Sequence, residues 1–144
     1  MTGTFEGVGT LQFSPDNKRA YAYSGGVSTV AATDVTLLQF TTGSEYHIAK
    51  IQFWYDANGS GSNIEFKTSF NDVKITTIIV TDSNDAEWCT PVELIIPPFT
   101  TVHIEAKNFT GTESVLASLT TKVKGAIEQQ NLEAITDNSK WASK

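Results

Sequence analysis

The feature that most limits the fold of this chain is a period of two. In residues 45–57, EYHIAKIQFWYDA, Ile51, Phe53 and Tyr55 fall on one side and Lys50, Gln52 and Trp54 on the other, because successive side chains of a strand point to opposite faces. Residues 63–70, NIEFKTSF, repeat the pattern, with Ile64, Phe66 and Phe70 set against Glu65 and Lys67. The runs 35–40, 73–81, 92–97, 101–108 and 114–125 are of the same kind, and the last places Val115, Leu119 and Val123 on one face. β-Branched residues are frequent in them and suit a pleated surface. Two shorter runs, TLQF and AYAYSG, precede the series.

The segments between these runs carry turn chemistry. DANGSGSN, SFNDV, DSNDAE and NFTGTES are clusters of Asn, Asp, Gly and Ser, which tolerate positive φ or cap the local backbone. This rhythm predicts an all-β, single-domain β-sandwich of about 8–10 strands, jelly-roll-like, over residues 1–125. An immunoglobulin-like sandwich is the alternative. Residues 126–144 break the rhythm. Their Glu, Gln, Leu and Ala favour helix, but Ile127, Leu132 and Ile135 make a poor apolar stripe. A short C-terminal helix or extended arm that needs a surface to lie on is expected there. Pro97 and Pro98 separate two strand runs. Neither can donate to a ladder, so they belong at a strand end or a sheet edge. Phe99 then stands as the bulky apolar residue of a stiff hairpin turn.

A length of 144 residues suits one domain, which buries about 70% of its unfolded surface. With a single cysteine, Cys89, no internal disulfide can form. The opening residues lack the basic and apolar regions of a secretory leader, and no run approaches the ~18 apolar residues of a membrane span. Synthesis in a host cytoplasm, without a membrane partner, is the expectation. The net charge of -6, with ten scattered Lys and Arg densest at NKR (17–19) and KVK (122–124), argues against nucleic acid as a partner.

Catalytic chemistry finds little footing. His47 and His103 are the two histidines, and neither lies in a zinc or nucleophile motif. His103 alternates with Glu105 and Lys107 on what reads as a polar strand face. Cys89, in EWCTP, lacks a local device to lower its pKa. The glycines Gly3, Gly7 and Gly9 do not have phosphate-loop spacing. DANGSGSNIEFK starts like a calcium loop at Asp56, Asn58 and Ser60, but Lys67 occupies the position that needs a bidentate carboxylate. The sequons at Asn58 and Asn108 read as accidental without a leader. No catalytic residue, metal site or cofactor is expected. Trp54 on a polar strand side, Trp88 beside an acidic turn, Phe99 in its turn and Trp141 in the tail are the candidate contact residues, since large aromatics outside a core mark binding surfaces.

Four segments, DNKRAYAYSGGVS, VTLLQFTTGSEYHIAKIQFWY, LIIPPFTTVHIEAKN and LTTKVKG, together resemble small virion proteins of tailed bacteriophages, especially marine ones, that coat or decorate the capsid. The resemblance implies a sandwich or jelly roll without enzymatic activity, laid down in repeated copies on a shell. It supplies no catalytic residues. The resulting expectation is a capsid decoration protein at the virion surface, bound to the major capsid protein and to copies of itself in trimers or similar clusters. The competing expectation is a carbohydrate-binding β-sandwich of a phage head or tail fibre, with Trp54 or Trp88 as its stacking platform.

Overall fold

The computed structural model describes residues 9–56, 62–83 and 86–125. The expected arm at 126–144, with Trp141, lies outside the described residues, as do residues 57–61 of the calcium-like loop. The strands are β1 (Gln12–Phe13), β2 (Arg19–Tyr23), β3 (Val27–Ser28), β4 (Asp34–Thr41), β5 (Tyr46–Asp56), β6 (Ser62–Phe70), β7 (Val73–Ser83), β8 (Ala86–Trp88), β9 (Val92–Ile96), β10 (Thr101–Asn108) and β11 (Ser114–Lys124). Among the described residues there is no helix. The eight longer strands match the alternating runs. β1 falls within the TLQF run, whereas β3 and β8, two and three residues long, are too short for a period to be read. β8 corrects the reading of DSNDAE as a turn alone: its end continues into a strand because it pairs with β5.

These strands form two antiparallel sheets. One holds β1, β2, β11, β5 and β8 in that order, with β3 on β11 and β9 on β5; the other runs β4-β10-β6-β7. The pairs β2·β11, β4·β10, β5·β9 and β6·β7 nest inside one another along the chain. Successive pairs of this ribbon alternate between the sheets, so the molecule is a jelly-roll sandwich. The ribbon's tip is the β6–β7 turn, where Asn71 and Asp72 both take positive φ, 50° and 69°, as a two-residue I′ hairpin requires.

Alternation places the core. Ile51, Phe53 and Tyr55 of β5, Val115, Ala117 and Leu119 of β11, Ile64 and Phe66 of β6, and Val102, Ile104 and Ala106 of β10 are buried in one cluster. Phe53 and Phe66 stack across the two sheets with ring centroids 4.5 Å apart. Phe70 is half-buried at the margin. Gly9 bridges to Leu38, and a Cβ there would lie 2.5 Å from the Tyr23 carbonyl oxygen. Close backbone approach, not phosphate binding, accounts for this glycine.

The Pro97–Thr100 turn does not close a hairpin. β9 pairs with β5 in one sheet, and β10 pairs with β4 and β6 in the other, so the two prolines carry the chain across the sandwich. Thr42 Oγ1 donates to the Pro97 carbonyl at 2.7 Å and accepts from the Thr100 N–H at 2.9 Å, while the Phe99 N–H donates to Gly43 at 2.8 Å.

Candidate functional site

Outward residues of the larger sheet line up by register. Arg19, Lys122, Ile48 and Ile95 form one row; Tyr21, Thr120, Lys50 and Glu93 form the next; Tyr23, Ser118 and Gln52 the third; Leu116, Trp54 and Trp88 the fourth. The fold thus brings together Trp54 and Trp88, distant in sequence, as directly opposed residues of β5 and β8. Trp54 is half-buried and Trp88 is exposed. Asp56 follows Trp54 on the same side of β5, and Glu87 precedes Trp88. Phe99 stands apart from this face, on the Pro97–Thr100 crossover, 71% exposed and at φ 53°.

At the other end of the same face lies a feature the sequence reading missed. The NKR and KVK spots, more than a hundred residues apart, meet: Arg19 is the register partner of Lys122, and the Val123 N–H donates to the Lys18 carbonyl at 2.8 Å. Lys124 and Lys50 join them. Two shallow depressions share Arg19 and Lys122. One of about 350 Å³ is lined also by Lys50, Thr120 and Glu93. The other, of about 590 Å³, is lined also by Asp16, Lys18 and Lys124. The turn before β2 is built by Asp16, whose Oδ1 accepts from the Ser14 hydroxyl at 2.6 Å and the Lys18 N–H at 3.0 Å. The Ser14 hydroxyl, then the Lys18 N–H, hold this carboxyl below its ordinary range. The scattered look of the cations is therefore a property of the linear chain. The fold puts five of the ten Lys and Arg on one end of one face.

One constellation has the roles of a catalytic triad. Glu45 Oε2 lies 3.2 Å from His47 Nε2, and His47 Nδ1 lies 3.0 Å from Thr121 Oγ1. His47 is wholly buried and Thr121 nearly so, both on the inward side. A nucleophile needs an approach for its substrate, and this hydroxyl faces the core. The network instead satisfies a buried imidazole. Partial burial disfavours the Glu45 anion, but the Gly43 N–H, its own N–H and His47 together outweigh it and leave its carboxyl below the ordinary range.

Cys89 sits at the opposite end of β5, its N–H donating to the Phe53 carbonyl at 2.7 Å. Six residues of strand, about 20 Å, separate that point from His47. Burial, then the Glu87 charge, push the Cys89 thiol up to about 11. His103 lies on the outer face of the other sheet, its Nε2 2.9 Å from Thr36 Oγ1 and 3.6 Å from Glu105. Beside it Lys67 contacts Asp34 at 2.8 Å, and this hydrogen bond raises the lysine above its ordinary value. Around His103 that face carries paired polar groups, while Ile75 and Ile79 of β7 are exposed on it. No group of three or more metal-ligating side chains occurs among the described residues. Asn108, one of the two sequon asparagines, is fully buried and holds the Thr110 and Gly111 N–H groups.

No protein-family model and no curated protein matches the chain. Among solved structures, a chain described under "Bacillus endospore appendages form a novel family of disulfide-linked pili" is similar at a TM-score of 0.48 and 11% identity, over 88% of this chain and 98% of that one.

Proposed function

We propose that the chain is a non-enzymatic structural subunit, a decoration protein laid in many copies on the outer surface of a phage capsid, where it contacts the major capsid protein and its own neighbours. The observation that carries this reading is the free edge of β7. Among the described residues this strand pairs with β6 alone. It is eleven residues long, and from Ile75 to Thr81 it holds no charge and no proline. Ile75 and Ile79 are exposed on it. Monomeric proteins blunt such edges with charge, proline or a cover; an open one is suited to pairing with a strand of a neighbour. Many weak contacts of this kind sum to firm attachment on a lattice. Phe99 adds a second apolar contact, held outward in a conformation that costs a non-glycine residue about 1–2 kcal/mol.

The test is to add wild-type protein and the Ile75→Lys/Ile79→Lys variant to purified capsids and count bound copies. Wild type is expected at regular positions on the lattice, and the variant is expected to fold but to occupy few sites. Absence of the wild-type protein from particles sinks the reading. A second reading, a carbohydrate-binding module, is favoured by one observation, the opposed Trp54 and Trp88 on the solvent side of the larger sheet.

A further inference from the structure

The basic end of the larger sheet is arranged at a cost to the fold. Arg19 and Lys122 stand directly opposite one another on β2 and β11, and like charges in that position destabilise a sheet. The ion pairs among the described residues involve neither of them, nor Lys18, Lys50 or Lys124. Five cations share the two depressions with the carboxylates of Asp16 and Glu93 alone, in a chain whose net charge is -6. An anion seated between Arg19 and Lys122 would offset their repulsion through charge-assisted hydrogen bonds.

Aromatic residues continue the same face. Tyr21 and Tyr23, 55% and 54% exposed, follow Arg19 on the outward side of β2, and the Trp54–Trp88 pair lies beyond them. From the Lys122 row to the Leu116 row is six residues of β11, about 20 Å, the length of a short oligosaccharide. Charge is graded along this path. It is basic at Arg19 and Lys122 and acidic at Asp56, which follows Trp54 on the same side of β5. A polymer with a phosphate on every unit would be repelled at the tryptophan end. A ligand anionic at one end and uncharged at the other matches the whole face.

We propose that this face binds an acidic oligosaccharide. A carboxylate or sulfate group sits between Arg19 and Lys122, and neutral sugar rings lie along Tyr21 and Tyr23 toward Trp54 and Trp88. This names the ligand class for the second reading above and rests on it; it is independent of the β7 edge.

The full chain is titrated by tryptophan fluorescence and calorimetry with four probes: an oligogalacturonate tetrasaccharide, a sulfated heparin tetrasaccharide, neutral cellotetraose and an eight-nucleotide oligothymidylate. At least one acidic tetrasaccharide is expected to bind ten or more times tighter than cellotetraose, with affinity falling as salt rises. Which of the two binds identifies the anionic group. Arg19→Gln/Lys122→Gln is expected to remove that tenfold preference, keep the weak cellotetraose binding, and melt at a higher temperature than wild type without ligand. Trp54→Ala is expected to weaken acidic and neutral sugars together. Binding that depends on Trp54 but is unchanged in the double variant overturns this inference and leaves the second reading standing. Tighter binding of the oligothymidylate overturns it in favour of a phosphate polymer. No binding of any sugar overturns both.

Discussion

Glu45, His47 and Thr121 show how one buried polar residue can be held without being put to chemical use. The imidazole is satisfied at both nitrogens. Because the Glu45 carboxyl is held below its unfolded value of 4.5, it contributes stability that is fully present above that value and is lost as pH falls through the folded one. Glu45→Gln is expected to flatten the dependence of melting temperature on pH between about pH 5 and 3; equal slopes for wild type and variant would remove the role. Cys89 gives a second prediction at this scale. With its thiol pushed up to about 11, thiolate is about one part in a thousand at pH 8. Alkylation by iodoacetamide at that pH should run at least tenfold slower than for a free cysteine, as mass spectrometry over time would record. A rate like that of free cysteine would contradict the half-buried, unactivated thiol.

At the scale of elements, the β6–β7 hairpin and the β9–β10 crossover behave in opposite ways. The hairpin is local: Phe70 and Val73 pair around Asn71 and Asp72, and the turn residues alone announce it. Asp72 holds φ 69°, a conformation glycine reaches without the steric penalty of a Cβ. Asp72→Gly should therefore stabilise the protein by about 0.5 kcal/mol in urea titration, and a loss of stability would mean that the turn is held in another way. The crossover is not local. PPFT reads as a hairpin tip because strand runs flank it. Its two strands part because β9 pairs with β5 in one sheet and β10 with β4 in the other. A short sequence window cannot contain that competition, since every one of these partners lies more than forty residues upstream.

For the whole molecule, the sandwich is closed by side chains that meet only after the ribbon folds over. Phe53 and Phe66 are the central case, 4.5 Å apart between the sheets and almost wholly buried. Phe53→Ala should lower unfolding stability by about 3–5 kcal/mol, measured by denaturant titration; a loss below 1 kcal/mol would mean that the sheets are not held together at this point.

The inward and outward sides of β5, β6 and β11 were legible in the chain, because a period of two is dictated by the backbone itself and survives in any register. The turn residues were legible for the same reason: positive φ is a local demand, and Asn and Asp, as at Asn71 and Asp72, tolerate it better than most residues. Tertiary structure decided which strands became neighbours, and with them every candidate surface. Trp54 came to oppose Trp88, Arg19 to oppose Lys122, and β7 to stand at an edge only because nested pairing joins strands far apart along the chain. Alternation tells a side chain which face to take. It carries no information about the residue across the ladder, which is set by the competition among all strands for partners.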